Sequence, residues 1–83
     1  MKLVKLEGTK CSKCDILDEI LENRNIKVDK KVNVEQDPTL AINLGVMGVP
    51  VLVAYSDEDE VIAMVNGIDN NKLNEFFDNL NIG

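Results

Sequence analysis

The sequence predicts an α/β fold, a mixed four-stranded sheet flanked by helices in the chain order β-α-β-α-β-β-α. Three observations carry that reading. Apolar residues recur at helical spacing in two stretches, Ile16, Leu17, Ile20, Leu21 and Leu73, Phe76, Phe77, Leu80. Short runs rich in Val, Leu and Ile alternate with them, each bounded by Gly, Asn, Asp or Pro. A strand–helix–strand order near the N-terminus implies two parallel strands with a right-handed crossover, and the last two strands are close enough for an antiparallel hairpin.

Taken in order, residues 2–7 form a first strand that ends at Gly8. Ser12 to Asn23 form the first helix, with Ile16, Leu17, Ile20 and Leu21 inward and Asp18, Glu19 and Glu22 on the other side. Ile26, Val28, Val32 and Val34 then sit at even positions, the period of a strand, with Lys30 the exception. Asp37-Pro38 reads as a helix start, since Asp caps and Pro at the first helical position loses no needed hydrogen bond. Leu40, Ala41 and Leu44 give that short helix its apolar face, and Gly45 closes it. Residues 50–55 and 61–65 are strands three and four, joined by the polar loop Ser56–Glu60. Asn66-Gly67 ends the sheet, and Asp69 is read as the N-cap of the last helix.

Composition narrows the chemistry. The chain has 83 residues, enough for one small core, and we expect a single domain over 1–83. It has no histidine, which removes every His-based dyad, triad and metal site. A net charge of −6 argues against nucleic-acid binding, which needs a basic stripe. No apolar run is long enough to span a bilayer and no targeting signal is recognisable, so the expectation is a monomeric, cytoplasmic protein without membrane contact. The charge is divided unevenly. Residues 1–31 carry eight basic and six acidic side chains, whereas residues 32–83 carry Lys72 against nine carboxylates. Both cysteines lie in the basic part.

Cys11-Ser12-Lys13-Cys14 is a C-x-x-C placed between a strand and a helix. Free backbone N–H groups and the helix dipole favour a thiolate on Cys11, and Lys10 and Lys13 add positive charge that lowers its pKa. Cys14, one turn into the helix, is less exposed. That asymmetry makes Cys11 the attacking thiol and Cys14 the resolving one, and dithiol–disulfide exchange needs no cofactor beyond the redox-active pair itself. Two other readings stand beside it. The cysteines could be two buried small hydrophobes. They could also be half of a metal knuckle; no further Cys or His exists, so no metal site is expected within one chain and metal would have to be shared across a dimer. Gly48-Val49-Pro50 lies at the head of strand three, where Pro50 either simply begins the strand or forms a cis peptide facing the thiols.

In four places, taken in order, the chain resembles the thioredoxin superfamily, in the size class of glutaredoxins and small glutaredoxin-like thioredoxins. These are Cys11-x-x-Cys14, the stretch Val32–Pro38, the stretch Gly45–Pro50, and Gly67 after the last strand. The resemblance covers essentially the whole chain. It implies a protein-disulfide reductase in which Cys11 attacks a substrate disulfide and Cys14 resolves the mixed disulfide. It further implies that Val49 and a cis Pro50, with Gly67, shape a groove for an extended substrate segment. A thioredoxin reductase-like protein, or alternatively glutathione in a glutaredoxin-type cycle, would supply electrons. The departures are as specific as the matches. Lys10 stands where thioredoxins have Trp, and Lys5 stands where they have a buried acid; beneath the dithiol a lysine would favour thiolate rather than act as a base, but we expect Lys5 to snorkel to solvent, with Glu7 the nearest acidic substitute. Of the glutaredoxin glycine pair and aspartate pair that hold glutathione, only Gly67 and Asp69 are present.

Overall fold

The first strand, β1 (Lys2–Glu7), runs through the interior of the sheet, and its two faces generate the layers of the molecule. The structure, a computed structural model, describes residues 1–82. The strand order is β2-β1-β3-β4, with β2 (Lys30–Asn33) parallel to β1, and β3 (Val51–Tyr55) and β4 (Val61–Asn66) antiparallel to their neighbours. Side chains alternate across a strand, so Leu3 faces one layer while Val4 and Leu6 face the other. β3 repeats the division, with Leu52 and Ala54 on the Leu3 side and Val51 and Val53 on the opposite side. The mixed α/β architecture is the one expected.

The larger layer is built by α1 (Ser12–Asn23) and α3 (Asn70–Asn79). α1 buries Cys14, Leu17 and Leu21, one stripe at i, i+3 and i+7. α3 starts where its cap was expected: Asp69 accepts from the Lys72 N–H at 3.1 Å. It buries Leu73, Phe76 and Phe77, and the two rings meet edge to face with centroids 5.6 Å apart. The Arg24 guanidinium lies over the Phe77 ring, 4.9 Å from its centre, and closes that end of the layer. The smaller layer is α2 (Thr39–Leu44), which buries only Ala41. Gly45 ends α2 with φ +70°, a left-handed conformation that favours glycine.

Strands three and four each shift by one residue at one end, and two further boundaries differ from the sequence reading for a physical reason. The second strand covers only Lys30–Asn33, because the even-numbered apolar residues do not share a face. Ile26 and Val28 pack into the α1/α3 layer, whereas Val32 and Val34 pack into the α2 layer. The chain crosses the sheet plane between them, near Lys30, where the alternation fails. α2 starts one residue late, with Pro38 as its N-cap, while the Asp37 carboxylate accepts from the Thr39 N–H at 3.3 Å.

A further difference lies in the core. Lys5 does not snorkel; its side chain is 0% exposed and belongs to the α1/α3 side of β1. An ammonium there must find acceptors inside the protein. It donates to Glu7 Oε1 at 2.8 Å, Asp18 Oδ1 at 2.8 Å and the Cys14 carbonyl at 3.0 Å, one partner for each of its three N–H groups. Lys31, the register neighbour of Lys5 on β2, reaches the same Asp18 oxygen at 3.2 Å. Asp18 therefore faces the sheet, not the solvent side expected from the helical period. Its place is one turn beyond Cys14 on the same helix face. Burial acts to lower the Lys5 pKa, but hydrogen bonds and charges from Asp18 and Glu7 outweigh it and hold it above its ordinary 10.5. Burial likewise acts to raise Asp18, and the two lysines outweigh it and hold the carboxyl below its ordinary 3.8.

Two outcomes are expected in urea denaturation. Phe77→Ala removes a fully buried ring and lowers stability by about 3–5 kcal/mol at neutral pH; a loss under about 1 kcal/mol would mean that the α1/α3 layer does not hold the fold. Asp18 has a depressed folded pKa, so its contribution is present above 3.8 and lost as pH falls through the lower folded value. Asp18→Asn should cost about 1–2 kcal/mol at pH 7, discounted because the carboxylate is partly solvated, and should flatten the acid limb of the stability profile. An acid limb as steep as that of the unchanged protein would exclude this pairing as its source.

Candidate active site

β1 delivers the chain to the top of the sheet, and the loop Gly8–Lys10 turns it into α1. Lys10 takes φ +52°, a left-handed turn that sets Cys11 at the N-cap of the helix. There the Cys11 Sγ accepts a hydrogen bond from the Cys14 N–H at 3.1 Å. Unpaired N–H groups at a helix start, together with the helix dipole, favour negative charge on that sulfur. Cys11 and Cys14 are joined as a disulfide, with their Cα atoms 5.2 Å apart. Cys11 is half-buried and Cys14 only 3% exposed, so the two sulfurs differ in access from solvent.

The loop before Cys11 is held from β2. The Glu35 carboxylate accepts from the Thr9 N–H, and the Asn33 side chain donates to Thr9 Oγ1 at 3.1 Å while accepting from the Glu35 N–H at 2.9 Å. Gly8 is where these parts converge. A Cβ there would lie 3.2 Å from Glu35 Oε2, 3.3 Å from Val49 Cγ2 and 4.0 Å from Cys11 Cβ. A side chain there would crowd Glu35 and Val49 and require them to shift by a few tenths of an ångström. This same geometry places Val49 beside the dithiol.

Of the other residues singled out in the sequence, Pro50 is buried at the head of β3 and its peptide bond with Val49 is cis. The Gly67 N–H donates to the Pro50 carbonyl at 2.8 Å, and Gly67 has φ +90°. Val49, Pro50 and Gly67 thus form one connected stretch, whose Val49 end meets Gly8 beside Cys11. Among the described residues, neither the N–H nor the C=O of Val49 bonds to another backbone group. Lys10 and Lys13 are both exposed and flank Cys11 in the chain. Lys5 touches the site from below through the Cys14 carbonyl. Glu7 is committed to Lys5, as is Asp18.

Sequence reasoning missed Gly8, Glu35 and Met47 as parts of this end of the molecule. The Glu35 contact joins residues far apart in the chain, and no local pattern announces it. Met47 is 99% exposed, next to a shallow hollow of about 120 Å³ lined by Val34, Ala41, Val46, Met47, Gly48 and Val49. A bare methionine after a helix-ending glycine was the available signal. No group of three or more Cys, Asp or Glu that could hold a metal ion occurs among the described residues. Among the described residues, no helix is long and apolar enough to cross a membrane.

Comparison with known proteins gives a consistent result. The chain is 39% identical over 80 residues to the SPbeta prophage-derived thioredoxin-like protein YosR of Bacillus subtilis (strain 168), covering 96% of this chain and 99% of that one. Thioredoxin from Plasmodium falciparum superposes with a TM-score of 0.71 at 17% identity, over 93% of this chain and 68% of its own. Thioredoxin from Malassezia sympodialis superposes with a TM-score of 0.70 at 23% identity, over 88% of this chain and 68% of its own. No family model matches the sequence. A C-x-x-C disulfide at the start of α1, in this fold and with this relative, makes the chemistry thiol–disulfide exchange. The chain belongs to the thioredoxin superfamily, as one of its small thioredoxin-like proteins.

Proposed function

We propose that this protein is a protein-disulfide reductase that cycles between the Cys11–Cys14 disulfide and the dithiol. The unequal placement of the two sulfurs carries the reading. Cys11 caps the helix, half-exposed, with its Sγ on a backbone N–H; Cys14 is buried one turn inside. A sulfur reachable from outside and stabilised as an anion attacks first, and the enclosed sulfur acts only on its neighbour. The Cys11 thiolate attacks a substrate disulfide, forming a mixed disulfide and releasing one substrate thiolate. Cys14 then attacks Cys11, the Cys11–substrate bond breaks, and the second substrate sulfur leaves with the electron pair. Lys10 and Lys13 add positive charge around Cys11.

The substrate enters as an extended segment beside Val49, whose backbone N–H and C=O are both free to pair with it like an added strand. Pro50 and Gly67, bonded to each other, form the floor of that groove. The exposed apolar side chain of Met47 borders it and favours a protein substrate over a small anion. Electrons come from a thioredoxin reductase-like partner, not from glutathione. In support, of the glycine pair and aspartate pair with which glutaredoxins hold glutathione, the chain keeps only Gly67 and Asp69. The cycle suits a monomer in a reducing compartment such as the cytoplasm, with no nucleic acid and no membrane involved.

An insulin-reduction assay tests this. Turnover with NADPH and a thioredoxin reductase, and at least about tenfold slower turnover with glutathione, is the expected result. Rapid removal of glutathione from a mixed disulfide, at the expense of the reductase-driven rate, would overturn it in favour of the glutaredoxin-type cycle. Cys14→Ser should accumulate mixed disulfides through Cys11, whereas Cys11→Ser should lose exchange altogether. Equal residual activity in the two variants would refute the roles given to them.

A further inference from the structure

A buried cation is bonded to the backbone of the resolving cysteine. Lys5 Nζ lies 3.0 Å from the Cys14 carbonyl oxygen, with its side chain fully enclosed. Glu7 from β1, Asp18 from α1 and Lys31 from β2 are the charged groups around it, while β3 presents Leu52 as its register partner. Lys13 and Asp15 flank Cys14 in the chain. The charges of the two lysines and two carboxylates cancel formally, but not in their effect. The carboxylates keep 28% and 36% of their side-chain surface in water, which screens them; Lys5 has none. Of the charges in this cluster, the ammonium is therefore the one that water screens least.

Cys14 needs such a charge. In the resolving step it must act as a thiolate, and burial in an apolar layer penalises that anion. The carboxylates on the sheet side of it, Glu7 and Asp18, are both bound to Lys5, and Asp15, the next residue in the chain, is exposed to solvent. We propose that Lys5 is a positioning residue for the resolving half of the cycle, a buried cation that fixes the Cys14 turn through its carbonyl and stabilises the Cys14 thiolate.

The proposal rests on the reductase reading of the dithiol. The Cys14 proton passes to water, and Lys5 keeps all three of its own protons throughout. The thiolate attacks Cys11 Sγ, the Cys11–Cys14 bond forms, and the substrate sulfur leaves with the electron pair and is protonated by water. The role is electrostatic and orienting. Lys5 is neither base nor acid.

The test is a titration of Cys14 alone. In reduced Cys11→Ser protein, ultraviolet thiolate absorbance follows Cys14 ionisation with pH. Adding Lys5→Met should raise its midpoint by about one unit or more, and Glu7→Gln should instead lower it by leaving the ammonium less neutralised. A midpoint that moves by less than about 0.3 unit with Lys5→Met, in protein that is folded by circular dichroism, would overturn the proposal, because a purely structural lysine changes stability and not thiol ionisation. Where Lys5→Met does not fold, the sign of the Glu7→Gln shift decides, and an upward shift overturns it. The titration uses no substrate. Failure of insulin reduction with a shifted midpoint thus rejects the reductase reading alone, and normal reduction with an unmoved midpoint rejects the role of Lys5 alone.

Discussion

An ammonium with no path to water has to be met by three acceptors, and that requirement at Lys5 organises the dithiol end of the molecule. The acceptors come from three separate places: the same strand (Glu7), the second turn of α1 (Asp18) and the backbone of its first turn (Cys14). Meeting all three fixes the height of α1 over β1 and its rotation about its own axis. Cys14 and Asp18, four residues apart, are turned together toward the sheet, and Leu17 and Leu21 follow into the apolar layer. With the helix set in this way, its N-cap falls where β1 ends. Cys11 is then held from the other side by the Thr9–Glu35–Asn33 contacts. The position of the thiol pair is thus a consequence of burying one charge.

How much of this was legible in the sequence depends on the range of the interaction concerned. α1, α3 and the β3–β4 hairpin were readable because a periodic face or a short polar loop declares itself within a dozen residues. So was the C-x-x-C pair, together with the difference in depth between its two members, since one helical turn separates an N-cap from a buried position. The failures are cases where the deciding partner is elsewhere. Val28 and Val32 continue the same alternation but face opposite layers, which only the crossing near Lys30 decides. Asp18 looks like a solvated helix residue until Lys5 and Lys31 are placed on neighbouring strands. Lys5 itself is misread by a sound rule, that a long charged side chain reaches for water. The rule fails because three internal acceptors replace that water.

Without histidine, the protein divides the work of activating two sulfurs between two different devices. Cys11 sits at the helix start, where peptide N–H groups provide the stabilisation and no side-chain base is needed. Cys14, inside the first turn, does not cap the helix; its own N–H is the donor to Cys11. The uneven charge of the sequence fits this division. The basic N-terminal part supplies Lys5, Lys10, Lys13 and Lys31 around the pair, while most of the acidic excess is spent in the hairpin loop and on α3. Glu35 is the exception from the acidic part, and its carboxylate is turned to a backbone N–H of the loop before Cys11.

The energetics of the Lys5 cluster point in the same direction. A buried ion pair is a weak source of net stability, because desolvation of the charges offsets most of their attraction, and apolar replacements of similar volume often do as well or better. On stability alone, a leucine at position 5 facing apolar residues on α1 would serve this layer, which already contains Leu3, Leu17, Leu21 and Leu52. Such a replacement would keep the packing and lose two things. The first is the bond to the Cys14 carbonyl, which ties the first turn of α1 to the central strand. The second is a fixed positive charge in a low-dielectric setting, where its influence on a neighbouring anion is far larger than at the surface. Both act on the resolving cysteine. What the cluster supplies is therefore placed where the redox cycle needs it, and the core could have been held together without it.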